Sequence, residues 1–209
     1  VHINVIGKEN IPPEGRFIFA SNHPLGALDG VALIRFFGHF YSGKIKFLVN
    51  DLLMHIKPLA PVFLPINKYG SQAKESSLQI NNAYESDEQM LIFPAGLCSR
   101  LQHGKIKDLE WKKTFIAKAV QSQRDIIPIY FEGRNSTFFY RFAQIRKCIG
   151  LKFNIELIYL PDEMFNSKNK TFDIYIGKPI PWQTFDKSKS LQEWAQIVKE
   201  KVYQIKKNQ

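Results

Sequence analysis

The stretch FIFASNHPLGALDGVALIRFF, residues 17–37, passes from an apolar run through a loop of small and polar groups into a helical pattern. Phe17 to Ala20 is a short continuous apolar run and reads as a strand. From Asp29 to Phe37 the apolar residues recur at helical spacing, which predicts a helix. Strand, loop and helix in that order form a βα unit, and the loop at a strand's carboxyl end is where α/β sheets place their chemistry. Here that loop, Ser21-Asn22-His23-Pro24-Leu25-Gly26-Ala27-Leu28-Asp29-Gly30, holds a histidine and an aspartate. An imidazole takes a proton near neutral pH, and a carboxylate on its other ring nitrogen fixes the tautomer and stabilises the charged ring. An aspartate opening a helix can equally cap backbone N–H groups, so the pair alone does not decide between chemistry and structure.

The alternation continues on both sides of this stretch. Ile45 to Val49, Met90 to Phe93, Ile126 to Phe131, Phe153 to Leu160 and Phe172 to Ile176 read as strands. Between and after them Gln72 to Tyr84, Leu109 to Gln121, Phe138 to Ile149 and Leu191 to Lys206 read as helices. In the last of these Leu191, Trp194, Val198, Val202 and Ile205 form one stripe for the core, leaving Lys199, Lys201 and Lys206 to water. Pro161 to Thr171 reads as an exposed loop. With no internal repeat and no long linker, the 209 residues are expected to form a single α/β domain, a mixed β-sheet flanked by helices.

Composition narrows the function. Hydrophobic residues make up 44% and charged residues 23%, which excludes wholesale disorder, collagen-like repeats and coiled coil. Against 29 Lys and Arg stand 19 Asp and Glu, and the net charge of +10, with pI near 9.5, favours an anionic partner. Nucleic acid is not expected: there is no RRM, KH or zinc-finger signature, and the aromatics cluster with aliphatics rather than forming separate stacking platforms. Membrane lipid and an acidic carrier protein are favoured over it. Cys98 and Cys148 are too few for a disulfide framework, no Cys/His spacing resembles a zinc site, and a reducing compartment is expected. The opening VHINVIGKEN lacks a signal peptide's apolar core, and there is no run of about 18 apolar residues to span a membrane. The first residue is not Met, which leaves open an amino-terminal segment carrying an anchor.

Two stretches are unusually apolar. DLLMHIKPLAPVFLPI, residues 51–66, is broken by Pro58, Pro61 and Pro65, so it cannot be a spanning helix and suits an apolar lip or chain pocket. FFYRFAQIRKCIGLKF, residues 138–153, puts Phe138, Phe142, Ile145 and Ile149 on one helical face with Arg141, Arg146, Lys147 and Lys152 beside them. Aromatic plus basic suits a membrane interface, although a packed helix with a solvated edge has the same pattern.

A second island of candidate chemistry is Leu91-Ile92-Phe93-Pro94-Ala95-Gly96-Leu97-Cys98-Ser99-Arg100, again a strand leading into a glycine turn. Backbone N–H groups after Gly96, with Arg100, suit a phosphate or carboxylate. A nucleophile reading of Cys98 or Ser99 is weaker, because the closing Gly of a G-x-S-x-G elbow is missing. Lys68, and Lys112 with Lys113, are cations available to the same site.

The order of these islands carries a resemblance. Asn22-His23 to Asp29, Leu64 to Lys68, Phe93-Pro94-x-Gly96 and Ile126-Ile127-Pro128-Ile129 resemble the four ordered blocks of the phospholipid/glycerol acyltransferase family, which includes 1-acylglycerol-3-phosphate acyltransferases. The similarity runs from Gly7-Lys8-Glu9-Asn10-Ile11-Pro12 to about Pro181. The FPAG form of the third block and the run Phe131-Glu132-Gly133-Arg134-Asn135-Ser136 look most like the haemolysin-like branch, with its O-acyltransferases of lyso-ornithine and related amino-acid lipids. Departures are local. Five residues lie between His23 and Asp29 where the family has four, which calls for an altered turn with Gly26 as its source. Ala95, Leu97 and Cys98 stand where the family has Glu, Thr and Arg, and Lys68 stands for the Arg of the second block. Each change weakens the case for a glycerol-phosphate headgroup, since a bidentate Arg is lost or becomes a point charge.

The resemblance implies a glycerol-3-phosphate acyltransferase-like fold. It also implies transfer of a fatty acyl group from acyl-carrier protein or coenzyme A to a lysolipid hydroxyl, at the cytoplasmic face of a membrane on which the protein is peripheral or monotopic. His23 is then the general base and Asp29 its orienting partner, while Asn22, Lys68, Pro94, Gly96, Ser99, Arg100 and Lys113 hold substrate; neither metal nor redox cofactor is implied. The expected acceptor is a lyso-amino-acid lipid of ornithine or glycine type, with lysophosphatidate as the alternative. From other classes, the alternatives are an acyl hydrolase using Cys98 or Ser99 and a non-catalytic lipid- or nucleic-acid-binding domain.

Overall fold

The computed structural model describes residues 1–49, 54, 56–66, 72–151 and 153–208. In chain order the elements are β1 (His2–Ile6), β2 (Phe17–Ser21), α1 (Leu28–Phe40), β3 (Ile45–Val49), β4 (Phe63–Pro65), α2 (Gln72–Glu85), β5 (Gln89–Ile92), β6 (Arg100–Gln102), β7 (Lys105–Lys107), α3 (Thr114–Ser122), β8 (Asp125–Phe131), α4 (Thr137–Cys148), α5 (Leu160–Phe165), β9 (Thr171–Ile176) and α6 (Leu191–Gln204). Seven strands form one sheet in the order β1-β9-β8-β2-β5-β3-β4. Neighbours are parallel except for the antiparallel pair β8/β9, so the sheet is mixed, as expected.

All five residues of central β2 are buried, and alternation along the strand divides them between two cores. Phe17 and Phe19 face the layer holding Leu33 and Phe37 of α1, whereas Ile18 and Ala20 face Phe115 and Ile116 of α3 and Val198 and Val202 of α6. Burial on both faces is why this strand reads as an uninterrupted apolar run. On α6, Val198 and Val202 are buried as the stripe predicts, and Ser190 closes a capping box with Glu193. Lys199 departs from the prediction: its ammonium turns inward to donate to the carbonyls of Asp108 and Leu109, both at 2.9 Å.

Several other expectations are corrected. Phe153 to Leu160 is not a strand; Ile155–Tyr159 forms a 3-10 turn leading into α5. The apparent alternation arises because Glu156 is buried between Arg100 and Arg146, and Pro161 at the start of α5 favours helix. α5 also takes the first part of the expected 161–171 loop. α3 begins at Thr114 rather than Leu109, because Asp108 and Trp111 are drawn into the core ahead of it. β1, β4 and the β6/β7 hairpin were not predicted; the last turns on His103 and Gly104, both at positive φ as a two-residue hairpin turn requires. Of the apolar stretch 51–66, Asp51 to Leu53 and His55 lie outside the described residues; Lys57–Val62 forms a 3-10 turn that enters β4. No helix among the described residues is long and apolar enough to cross a membrane.

Candidate active site

β2 ends at Ser21, and the chain then turns sharply into α1. Across that turn Nδ1 of His23 lies 3.0 Å from Oδ2 of Asp29, with the imidazole side chain 15% exposed and the carboxylate fully buried. Asp29 is fixed in turn by backbone donors: its Oδ2 accepts from the N–H of Leu25 at 2.9 Å and Gly26 at 3.3 Å, and its Oδ1 from Gly30 at 2.9 Å. The carboxylate thus ties down the loop and orients the histidine, but it is not the helix cap expected of an aspartate opening α1: Ala27 holds that position and no side chain caps the helix. The other face of the imidazole is set by Phe93, whose ring stacks on it at 3.8 Å between centroids and 15° between planes. With Nδ1 on Asp29, Nε2 has no hydrogen-bond partner among the described residues.

The extra residue in the loop is absorbed at Gly26, which adopts φ +79°. A Cβ there would lie 2.9 Å from Cδ2 of Leu160 and 3.0 Å from Cβ of Cys98, so both conformation and space require glycine. Asn22 clamps the loop to the end of β8: its Nδ2 donates to the Phe131 carbonyl at 2.9 Å, and its Oδ1 accepts from the Phe131 N–H at 2.6 Å. Both ends of that amide are engaged, which makes Asn22 a positioning residue rather than a free ligand. Asn135 supports the loop from the following segment, its Nδ2 donating to the Leu25 carbonyl at 3.3 Å.

The FPAG turn lies beside this loop. Gly96, at φ +70°, donates its N–H to the Phe93 carbonyl at 2.9 Å, and the Ser99 N–H donates to the His23 carbonyl at 2.7 Å. The Lys112 N–H donates to the Pro94 carbonyl, and its ammonium lies over Gly96, 2.7 Å from where a Cβ would stand. Both lysines are exposed, but it is Lys112 whose ammonium is brought to the turn, while Lys113 stands at the N-cap of α3. Lys68 lies outside the described residues.

Ser99 is buried and donates through Oγ to Oδ1 of Asp108 at 2.6 Å. That carboxylate also accepts from the His23 N–H at 3.2 Å and, through Oδ2, from Nε1 of Trp111 at 2.9 Å. Burial pushes the Asp108 carboxyl up and its hydrogen bonds from Ser99 and Trp111 pull it down, with burial the larger effect. Asp108 escaped the sequence reading because it sits in the charged run Lys105 to Glu110; Trp111 three residues later was its one signal. Arg100 is engaged as well. Its Nη2 pairs with Oε1 of Glu156 at 2.9 Å and its Nη1 reaches Sγ of Cys98 at 2.8 Å, while Nε of Arg146 meets Oε2 of Glu156 at 2.8 Å. Two guanidinium groups against one carboxylate leave this buried cluster with one positive charge in excess. Cys98 is buried, and desolvation outweighs Arg100 in pushing its thiol up to about 11, which leaves little thiolate near neutral pH. Beside the loop opens a cleft of about 270 Å3 lined by Pro24, Ser99, Tyr130, Glu132, Arg134 and Tyr203.

A buried carboxylate beside a partly exposed histidine, at the carboxyl edge of a mixed α/β sheet, is an arrangement suited to acid–base chemistry. The chain belongs to the acyltransferase family, whose model matches residues 1–209. It is therefore an acyltransferase, in agreement with the ordered blocks of its sequence. It is 56% identical over 203 residues to the lyso-glycine lipid O-acyltransferase of Bacteroides thetaiotaomicron, spanning 97% of this chain and 75% of that protein. It is 53% identical over 203 residues to the lyso-glycine lipid O-acyltransferase of Phocaeicola vulgatus, spanning 97% of this chain and 73% of that protein. Among solved structures it is similar to the 1-acyl-sn-glycerophosphate acyltransferase PlsC of Thermotoga maritima, with a TM-score of 0.58 and 19% identity over 98% of this chain and 72% of that one. At that identity the likeness establishes a shared fold.

Proposed function

We propose that this chain transfers a fatty acyl group from an acyl thioester to the hydroxyl of a lyso-glycine lipid. The observation that carries the chemistry is the 3.0 Å contact between His23 Nδ1 and Asp29, which leaves Nε2 as the proton acceptor. The 56% and 53% identical relatives, both lyso-glycine lipid O-acyltransferases, support this acceptor class, and the FPAG form of the third block fits it.

In this reading Nε2 of His23 takes the proton of the lipid hydroxyl as its oxygen bonds to the thioester carbonyl carbon. The tetrahedral oxyanion collapses, the carbon–sulfur bond breaks, and the thiolate recovers the proton from Nε2–H. The products are an ester and a free thiol. No covalent enzyme intermediate forms, and no step uses a metal or redox cofactor. Asp29 stabilises the imidazolium between the two proton transfers. Since the N–H groups of Gly96 and Ser99 already donate to Phe93 and His23, stabilisation of the oxyanion by this turn falls to Leu97 and Cys98. The ammonium of Lys112 over Gly96 is the ligand for the glycine carboxylate of the acceptor, with Pro94 shaping the turn. The donor is acyl-carrier protein or acyl-coenzyme A, either of which a chain of charge +10 attracts through its acidic groups or phosphates. The protein acts as a peripheral or monotopic enzyme at the cytoplasmic face of the membrane that holds its acceptor.

The test is mass-spectrometric product analysis with labelled acyl-carrier protein or acyl-coenzyme A and a competing mixture of lyso-glycine lipid, lyso-ornithine lipid and lysophosphatidate. Preferential formation of the diacylated glycine lipid is expected. Preferential acylation of lysophosphatidate would overturn the acceptor, and release of free fatty acid alone would overturn the transfer.

A further inference from the structure

The layer built by α4, the Ile155–Tyr159 turn and α5 has two unlike sides. Its inner side packs Phe139 and Tyr140 with Cys98, Leu157, Tyr159 and Leu160, and buries Glu156 between two arginines. On its exposed surface Phe138, Ile145 and Ile149 share one face of α4, and Phe153, Ile158 and Phe165 of the segment that follows are exposed as well, from 54% at Phe138 to 82% at Phe153. Soluble surfaces rarely leave so many large apolar groups together in water. They are joined across elements by the rings of Phe138, Phe142 and Tyr159, whose centroids lie 5.2 to 5.8 Å apart.

Charge on the same layer is one-sided. Arg141 and Lys147 on α4 and Lys168 and Lys170 after α5 are exposed, against exposed Asp162. Glu156 is held by Arg100 and Arg146, and Glu163 accepts from the backbone and hydroxyl of Ser136. Arg146, which the sequence placed among the outward cations, is turned in onto Glu156. The layer also touches the catalytic loop: Leu160 packs over Gly26, and the segment leading into α4 holds the Leu25 carbonyl through Asn135.

We infer that this α4–α5 face is the surface by which the protein seats on an anionic lipid bilayer, its apolar side chains at the boundary of headgroups and acyl chains, and Arg141 and Lys147 on the anionic headgroups. Aromatic and aliphatic groups flanked by cations match that interface in both polarity and sign. The inference rests on the acyl-transfer reading for its purpose, since seating this face brings the Gly26 side of the catalytic loop to the lipid that supplies the acceptor.

Cys148, exposed at the end of α4, offers a reporter, because Cys98 is buried. An environment-sensitive dye on Cys148 of the full-length protein is followed with vesicles of phosphatidylcholine containing about a third phosphatidylglycerol. A blue shift and quenching by bromine-labelled lipid are expected. The same dye on S188C in a C148S background, in the exposed loop before α6, should show neither. Ile149→Asp with Phe153→Asp should abolish the Cys148 response. It should also reduce turnover of vesicle-embedded acceptor at least about tenfold while turnover of detergent-dispersed acceptor stays at the parent rate. Arg141→Gln with Lys147→Gln should weaken vesicle binding about thirtyfold at low salt, at about fivefold for each cation removed. A dye that stays water-exposed while embedded acceptor is turned over would overturn the docking face. So would a dye shift that tracks protein concentration without vesicles, which would assign the face to a second copy. If the dye responds but detergent-dispersed acceptor is never acylated, the acyl-transfer reading fails and the docking surface stands.

Discussion

Five residues separate His23 from Asp29 in the chain, yet Nδ1 of the histidine stands 3.0 Å from Oδ2 of the aspartate. The contact survives the lengthened loop because Gly26 takes a left-handed conformation and, with Leu25, turns its N–H onto the same carboxylate oxygen. The carboxylate therefore organises the loop that presents its own partner. Phe93, stacked on the imidazole, restricts the ring to the plane that Asp29 requires.

Gly26→Ala tests that arrangement. Its methyl would stand 2.9 Å from Leu160 and 3.0 Å from Cys98 on a backbone at φ +79°. A loss of about 2 kcal/mol in unfolding free energy and at least a tenfold fall in kcat/KM are expected, measured by urea unfolding and steady-state kinetics. An alanine variant with the parent's rate would mean that the loop geometry does not govern the histidine.

Asn22→Ala removes both ends of the amide clamp on Phe131. Two buried backbone groups lose their partners, so unfolding free energy should fall by about 2 to 4 kcal/mol, at about 1 to 2 kcal/mol each. Asn22→Asp, which buries a carboxylate with one oxygen against the Phe131 carbonyl, should destabilise at least as much as alanine. Equal stability of all three would remove the clamp from the account.

Lys112 and Lys113 are adjacent in sequence but differ in placement, since only the Lys112 ammonium lies over Gly96. With the proposed lyso-glycine lipid as acceptor, Lys112→Ala should raise its KM about tenfold with little change in kcat, the size of one charge-assisted hydrogen bond. Lys113→Ala should change KM less than about twofold. A larger effect at Lys113 would move the carboxylate site.

The buried Cys98 thiol, pushed up to about 11, should resist alkylation at pH 8, where exposed Cys148 reacts. Because burial raises this thiol, the reactive thiolate grows in only as pH climbs toward 11. One equivalent of maleimide should react with the native protein and two with the unfolded protein, and Cys98→Ala should be nearly silent in acyl transfer. Rapid labelling of Cys98 with loss of activity would restore the nucleophile reading.

Much of this was legible in the chain. Phe17 to Phe37 announced strand, loop and helix because β2 is covered on both faces and α1 has one apolar stripe. His23 and Asp29 were visible as a pair, but their contact depended on a backbone turn that only Gly26 hinted at. What the sequence hid was the third dimension of polar groups. Glu156 between two arginines imitated strand alternation, Asp108 inside a charged run was drawn under Trp111, and Lys199 on a solvated helix face was pulled to buried carbonyls. In each case a tertiary partner far along the chain decided the outcome, and local periodicity carries no record of such partners.

The most direct test of the central claim is the rate of diacylated lipid formation by His23→Ala beside the parent enzyme, with unfolding curves recorded on both. A general base at Nε2 predicts a fall of at least about a hundredfold with the unfolding midpoint retained. A folded variant that keeps more than about a tenth of the parent rate would contradict it.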